Sequence, residues 1–256
     1  VVGLAEQLLL DKSSLSRALA DLERRGLVES TPHPTDGRSR KLSVTAAGRD
    51  VLAQVHESAN RQVLDALRIL TPSERAEVER GLGLYANALH RARRRAEFSI
   101  RPLEPADDPA VANLVRSVMA SYGCRGEGFA YGDPEVSAMF AQYSQPRHSY
   151  LVVTRGGEVR GGGGIGPLVG ADPSICELRK MYFYEDARGL GLGTLVLQRL
   201  LDEAQRLGFR QCYLETLDTM GHANKLYRRF GFQRIEAPLG ATGHVGCNTF
   251  YSKSLG

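Results

Sequence analysis

The sequence of 256 residues predicts two parts of different fold class, a mostly α-helical first part and a mixed α/β second part. Residues 1–97 carry apolar residues at helical spacing almost throughout, whereas residues 98–256 alternate strand-like and helix-like segments. The change follows the basic run at residues 93–95, which is typical of a solvated helix end. At about 150 residues per domain, the length also favours two domains.

The composition is that of an ordinary folded protein. Apolar residues make up 42% and charged residues 24%, which argues against disorder, and the net charge of +4 is too small to indicate a nucleic acid or a membrane by itself. No apolar run approaches the roughly 20 residues of a membrane span, so we expect no membrane association. The first residues lack a signal-peptide pattern, which predicts a cytoplasmic protein, and they lack a methionine, which suggests a start inside a longer protein.

Cysteine and histidine residues are too scattered to form a metal site. The four cysteines stand more than thirty residues apart, and no two histidines have the spacing of a ligand pair. We therefore predict neither a disulfide framework nor a bound metal.

The first part shows helix caps and a hairpin. We expect Ser13 or Ser14 to cap a helix that runs to about Arg25, after a short helix at residues 4–9, and Gly26 to end it. A hairpin should pair residues 28–30 with residues 41–44. Thr45 then caps a long helix, and residues 71–74 form a capping box that opens another.

This order of elements resembles the winged helix-turn-helix of MarR-type transcriptional regulators. The resemblance is carried by residues 10–17 (LDKSSLSR), 22–28 (LERRGLV), 36–38 (DGR) and 42–48 (LSVTAAG). It implies binding of double-stranded DNA, with Ser13, Ser14, Ser16 and Arg17 at the major groove or its phosphates and with Arg38 and Arg40 reaching the minor groove from the wing. It also implies a homodimer, and two further helices ahead of Val1, one of them part of the dimer interface.

Charge placement agrees with DNA binding only in part. Hydroxyl groups at a helix N-terminus suit phosphate, and arginine suits a narrow minor groove. However, residues 1–50 contain eight Lys or Arg against seven Asp or Glu, so the interpretation depends on where the charges lie.

A glycine-rich turn follows a predicted strand in the second part. Residues 175–184 are predicted as that strand, residues 187–194 (ARGLGLGT) as the turn, and a helix continues to Leu207. Such a turn leaves backbone N–H groups unpaired at the positive end of a helix, which suits a phosphate. A tight connection without a ligand is equally compatible with this turn alone, and the spacing matches neither a dinucleotide-binding motif nor a P-loop.

Two motifs together resemble the GNAT family of N-acetyltransferases. They are residues 177–183 (ELRKMYF) with 188–193 (RGLGLG), and residues 223–232 (ANKLYRRFGF) about thirty-five residues later. The resemblance covers residues 98 to about 255 and implies a GNAT fold, a mixed central sheet whose fourth and fifth strands splay apart. It also implies acetyl-CoA as co-substrate, and the residues assigned to its binding are Met181, Phe183, Arg188, Gly189, Gly191, Gly193, Thr194 and Asn224.

The resemblance also suggests the two proton-transfer groups. Glu177 occupies the strand position of a general base, and Tyr227 would protonate the leaving thiolate because a phenol is neutral at pH 7. An ion pair of Glu177 with Arg179 or Lys180, and packing of Tyr227 in the core, are the structural alternatives.

The sequence specifies the acceptor poorly. The polar residues that could face it are Arg125, Tyr131, Arg179, Glu215, His222 and His244. We predict direct acetyl transfer to the amine of a small molecule, without a covalent enzyme intermediate, in a fusion with a DNA-binding regulator domain. Two alternatives stay open: a regulator whose second domain only senses acetyl-CoA or an amine, and acetylation of lysine in peptides or proteins.

Overall fold

The computed structural model describes Leu4, Leu8 and residues 11–32, 40–126 and 128–256. Contacts between residues divide the chain into two units, Val1–Gly83 and Leu84–Gly256. Every helix in the described ranges is too short or too polar to cross a lipid bilayer. Leu4 and Leu8 are the described residues of the helix predicted at residues 4–9, and both are helical; the tip of the hairpin, Arg38 included, lies outside the described residues.

The first unit contains a helix, a two-stranded sheet and long helices. Their bounds are α1 Lys12–Arg24, β1 Val28–Pro32, β2 Arg40–Val44, α2 Ala46–Ile69 and α3 Pro72–Arg95, the last of which continues into the second unit. Strands β1 and β2 pair antiparallel, with Val28 opposite Val44, as the hairpin pattern predicted.

The caps of these helices follow the sequence except at the first. Asp11, not Ser13 or Ser14, is the N-cap of α1, because its carboxylate accepts a hydrogen bond from the amide of Ser14 at 2.8 Å. Gly26 has a φ of +67° just after α1, as expected for a glycine that ends a helix. The amide of Gly48 donates to the Thr45 hydroxyl at 3.0 Å, which confirms that cap.

The capping box before α3 is also formed. The amide of Thr71 donates to the carboxylate of Glu74 at 2.8 Å, and the amide of Glu74 donates to the Thr71 hydroxyl at 3.3 Å. Both long helices nevertheless expose apolar side chains, among them Val55, Val63 and Leu64 on α2 and Leu82 and Tyr85 on α3. These side chains have no apolar partner surface within the described part of the chain.

The second unit is built on a seven-stranded mixed sheet in the order β3-β4-β5-β6-β7-β9-β8. The strands are β3 Phe98–Pro102, β4 Ser149–Arg155, β5 Glu158–Pro167, β6 Ile175–Phe183, β7 Gln211–Thr216, β8 Gln233–Ile235 and β9 Thr249–Ser254. The helices are α4 Asp108–Ser121, α5 Met139–Tyr143, α6 Leu192–Arg206 and α7 Gly221–Arg229. Only β6 and β7 pair parallel, and β8 and β9 are strands that the sequence pattern did not predict.

Each face of this sheet carries its own apolar core. Helix α6 packs on one face, where Val196, Leu197 and Leu200 are fully buried and Tyr227 of α7 joins them. Helix α4 packs on the other face through Val111, Leu114 and Val115. The sheet is therefore covered by helices on both faces. A ligand can reach it only at an edge or where two strands separate.

The glycine run in β5 makes room for aromatic rings. A Cβ atom on Gly161 would lie 2.2 Å from the ring of Phe183, and one on Gly164 would lie 2.5 Å from both Tyr143 and Tyr150. The pairing of β5 with β6 also shifts register between Gly162 and Gly164, which is a β-bulge in this run of glycines.

Strands β6 and β7 separate after three residue pairs. They pair from Ile175 opposite Gln211 to Glu177 opposite Tyr213, whereas β7 pairs with β9 along its whole length. The fourth and fifth strands of this unit therefore splay apart, as expected, and leave a slot beside residues 178–183 of β6.

Candidate active site

The backbone of β6 faces the slot at alternate residues. The amide of Tyr184 donates to the carbonyl of Arg160 in β5 at 2.9 Å, so the backbone polar groups of Phe183 and, two residues earlier, Met181 point away from β5 toward the slot. An extended chain in the slot could pair with them as an added strand. The main chains of Met181 and Phe183, which the resemblance assigned to the co-substrate, border this slot.

The turn before α6 presents unpaired amides. Gly189 and Gly191 have φ of +72° and +81°, a conformation that glycine adopts without strain, and Gly191 is the N-cap of α6. No side chain caps this helix, and no amide from Gly189 to Thr194 donates to a group in the described residues. Together with the positive end of the helix dipole, these amides form a cradle that favours an anion.

Two arginines border this cradle. The Nε atom of Arg188 donates to the carbonyl of Phe183 at 2.8 Å, which holds the exposed guanidinium between the slot and the turn. Arg229 of α7 donates to the Thr194 hydroxyl at 2.8 Å. Sequence analysis missed Arg229, because nothing in the sequence connects a residue at the end of α7 with the start of α6.

Asn224 is buried with half of its amide unpaired. Its Nδ2 atom donates to the carbonyls of Leu217 at 2.8 Å and Met220 at 3.0 Å, which fixes the segment between β7 and α7. Its Oδ1 atom is buried and accepts no hydrogen bond from the described residues. A buried acceptor without a donor is costly, so this atom suits a ligand that brings an N–H group.

Tyr227 lies on the same side of the sheet as Asn224, packed against other aromatic rings. Its ring centroid is 5.9 Å from that of Phe232 and 6.1 Å from that of Tyr251. Burial raises the pKa of Tyr227 above its ordinary value, so the phenol is neutral at pH 7. The side chain therefore packs in the core and also keeps the proton that a general acid needs.

Glu177 lies on the opposite face of the sheet, because it alternates along β6 with the core residues Cys176 and Leu178. One of its carboxylate oxygens lies 2.8 Å from Nε of Arg179, in a poor geometry for a hydrogen bond, so the ion pair predicted as an alternative is present. Burial nevertheless raises the pKa of Glu177 above its ordinary value, with Arg179 acting against the increase. A carboxylate of raised pKa takes up a proton more readily.

A network of buried charges surrounds Glu177 on this face. The Nζ atom of Lys180 lies 2.7 Å from Oδ2 of Asp133 and also pairs with Glu135, and its side chain is 1% exposed. His244 lies 3.0 Å from Asp133 and 3.8 Å from Glu215. The hydrogen bond to Asp133 raises the pKa of His244 above its ordinary value.

Of the six residues considered for acceptor recognition, three meet in this network: Arg179, Glu215 and His244. Arg125 and His222 are exposed, and none of the ion pairs in the described residues involves them. Sequence analysis missed the roles of Asp133 and Glu135, which lie at a short 3-10 helix, Pro134–Ser137, far along the chain from β6. No group of three metal-ligating side chains forms within the described ranges.

Two family models match different parts of the chain. The model of the acetyltransferase (GNAT) family matches residues 115–232, and the model of the MarR family matches residues 1–39. The uncharacterized N-acetyltransferase YjgM of Escherichia coli is 44% identical over 157 residues, which are 61% of this chain and 94% of YjgM.

Solved structures share the fold of the second unit. An acetyltransferase of the GNAT family from Staphylococcus aureus superposes with a TM-score of 0.55 at 17% identity, covering 62% of this chain and 99% of that one. The protein yncA from Salmonella typhimurium, solved with its cofactor acetyl-CoA, superposes with a TM-score of 0.50 at 21% identity. The match covers 62% of this chain and 94% of yncA.

Proposed function

Because the chain belongs to the GNAT family of acetyltransferases, we propose that it transfers the acetyl group of acetyl-CoA to the amine of a small cationic molecule. The observation that carries this proposal is the splayed pair β6 and β7 opening beside a turn of unpaired amides. Acetyl-CoA supplies an activated acetyl thioester.

The residues present fit the co-substrate along its length. Amides from Gly189 to Thr194 hold a diphosphate at the start of α6, with Arg188 beside it. The main chains of Met181 and Phe183 pair with the amide-containing arm, and the unpaired Oδ1 atom of Asn224 accepts from one of its N–H groups.

Glu177 acts as the general base. The attacking amine must be neutral, and an alkyl amine has an ordinary pKa near 10.4, so a proton has to leave it. Glu177 takes up that proton, directly or through water, since burial has raised the pKa of its carboxylate. Arg179 keeps the carboxylate in place.

Tyr227 acts as the general acid from the other face of the sheet. Its raised pKa keeps the hydroxyl protonated until the thiolate departs, and its rigid packing against Phe232 and Tyr251 fixes the ring. The amine and the thioester then meet in the slot between the two proton-transfer groups, without a covalent enzyme intermediate.

The charges around Glu177 favour a cationic acceptor. Four carboxylates, those of Asp133, Glu135, Glu177 and Glu215, stand against Arg179, Lys180 and the ionisable His244. Arg179 pairs with Glu177, whereas Asp133 and Glu135 share the single cation of Lys180, so the group carries net negative charge even when His244 is protonated. A protonated amine entering here meets negative charge, which favours polyamines and aminoglycosides over acidic acceptors.

A thiol-release assay with amino acids, polyamines and aminoglycosides tests this function. We expect free coenzyme A to form with a cationic amine and the rate to fall in Glu177→Gln and Tyr227→Phe. If the protein binds acetyl-CoA but releases no thiol with any amine, the second unit is a sensor and the enzymatic proposal is wrong. If thiol is released with lysine peptides and with no small amine, the acceptor is a peptide or protein and the small-molecule proposal is wrong.

We also propose that the first part of the chain is a MarR-like DNA-binding domain that acts as a homodimer. The match to the MarR family over residues 1–39 supports this, and so do the exposed side chains of Ser13, Ser16 and Arg17 on α1. The unpaired apolar side chains of α2 and α3 supply a surface for a second copy. The guanidinium of Arg40 bonds to Ser30 across the hairpin, which fixes the base of the wing.

Selection of binding sites from random double-stranded DNA tests this second role. Arg38→Ala and Arg40→Ala should weaken binding of the selected DNA and reduce its salt dependence by about one ion per lost phosphate contact. Binding that is absent, or unchanged in both variants, would reject the DNA-binding proposal without affecting the acetyltransferase.

A further inference from the structure

A cavity of about 380 Å³ lies between the phosphate cradle and the last three turns of α3. The part of α3 from Leu84 onward belongs to the second unit, so both walls lie in one unit. Its lining residues are Leu84, Asn87, Ala88, Arg91, Ala92, Arg95, Gly189, Leu190 and Gly191. Two of the three turn residues are thus glycines assigned to the diphosphate.

Arg95 reaches the cradle itself. Its Nη1 atom lies 3.7 Å from the position of a Cβ on Gly191, the residue that caps α6. The chain holds Arg95 close to the sheet, because α3 ends there and β3 begins three residues later, at Phe98. The neighbouring Arg94 donates to the carbonyl of Asp186 at 3.3 Å, which ties this end of α3 to the segment before the cradle.

The charge of Arg95 is not balanced by protein groups. Neither Arg91 nor Arg95 forms an ion pair with any acidic side chain in the described residues. A guanidinium beside the positive end of α6 is unfavourable by itself, since a helix N-terminus favours negative charge. An anion between the guanidinium and the amides would remove this repulsion and pair with both.

Asn224 also has a buried acceptor without a donor in the described part of the chain. It lies on α7, and that helix reaches the start of α6 through the contact of Arg229 with Thr194. The Oδ1 atom of Asn224 is buried and lacks a donor in the described residues. Asn224 does not line the cavity, so a ligand held at the cradle would have to extend along α7 to reach this acceptor.

We infer that Arg91 and Arg95 bind phosphate groups of coenzyme A, so that a helix preceding the acetyltransferase sheet completes the co-substrate site. This inference rests on the proposed function. The two arginines are one helical turn apart, about 6 Å along the axis, on the face of α3 that lines the cavity. They are therefore spaced to bind separate phosphate groups.

Calorimetric titration of the full chain with coenzyme A and with 3′-dephospho-coenzyme A tests the inference without relying on activity. The variants are Arg91→Gln, Arg95→Gln and the double variant. Arg93→Gln is the matched control, because Arg93 is exposed on the same helix end and does not line the cavity. Circular dichroism checks that every variant keeps its helix content.

We expect Arg95→Gln to raise the Kd for coenzyme A about tenfold or more, as for a lost charge-assisted hydrogen bond, and Arg93→Gln to change it less than about twofold. Hydrogen exchange in residues 84–95 should slow when coenzyme A binds. Wild-type binding with an unchanged Kd in the double variant would overturn the inference and leave the proposed function intact. Equal weakening by Arg93→Gln would also overturn it, since the effect would then be that of net charge alone.

Absence of coenzyme A binding by the wild-type protein would reject the proposed function itself, which separates the two failures. If Arg91→Gln raises the Kd for coenzyme A but not that for 3′-dephospho-coenzyme A, the result supports contact of Arg91 with the 3′-phosphate. An equal effect with both ligands supports contact with the diphosphate.

Discussion

The Nζ atom of Lys180 lies 2.7 Å from Oδ2 of Asp133, although the two residues are 47 positions apart. Lys180 has a φ of +49°, which is unusual for a residue with a side chain, and it sits where the pairing of β6 with β5 shifts register. This bulge interrupts the strand alternation, so consecutive Arg179 and Lys180 both reach Glu135. Two cations thereby join the carboxylates beside the slot.

The Lys180 network should contribute strongly to stability. Lys180→Ala leaves Asp133 and Glu135 without their buried cation, and we expect the free energy of unfolding to fall by about 3–5 kcal/mol. Arg206→Ala is the control. Arg206 pairs with Glu203, but its side chain is 70% exposed, so its loss should lower the free energy of unfolding far less. Urea unfolding of both variants measures the difference, and equal costs would contradict a structural role for the buried network.

Glu177→Gln should remove the acidic limb of the pH profile of kcat/KM. The base must be ionised to accept a proton, so activity should rise with pH through the pKa of Glu177, which burial places above its ordinary value. Arg179, Lys180, Glu215 and His244 surround this carboxylate, and His244 also has a raised pKa. The acidic limb should therefore remain in His244→Gln. If His244→Gln abolishes the limb and Glu177→Gln does not, the base is His244.

Tyr227→Phe should lower kcat by about 10²-fold with little change in the Kd for acetyl-CoA, because only the proton donor is removed. The ring contacts with Phe232 and Tyr251 remain, so the fold should be preserved. Tyr251→Phe serves as the comparison, since Tyr251 packs in the same aromatic cluster. If both variants retain full kcat, Tyr227 is only a core residue.

Gly191→Ala should weaken coenzyme A binding through backbone strain. The φ of +81° costs a residue with a Cβ about 1–2 kcal/mol, and relief of that strain would rotate the amides of the cradle. Gly221→Ala is a matched control, because Gly221 opens α7 with ordinary φ and nothing within 4 Å of its added Cβ. Calorimetry should detect a higher Kd only for the first variant.

Local patterns predicted much of the architecture. The hairpin, the caps at Thr45 and Thr71, and the helix after residues 187–194 depend on neighbours within a few residues, which the sequence displays directly. The cap of α1 was wrongly assigned to serine because Asp11 and two serines compete for the same amides, and only geometry decides which one accepts. Strands β8 and β9 are short and partly exposed, so their alternation was too weak to detect.

The sequence by itself predicted the change from helical to mixed patterning and the glycine turn before α6, because local spacing encodes them, and its resemblance to the GNAT family implied the splayed sheet. Only the tertiary structure decided that Lys180 joins Asp133, that Arg229 reaches Thr194 and that Arg95 lies against Gly191. These contacts connect residues far apart in the chain. They depend on a β-bulge and on where helices end in space, and periodic patterns in the sequence do not reveal either.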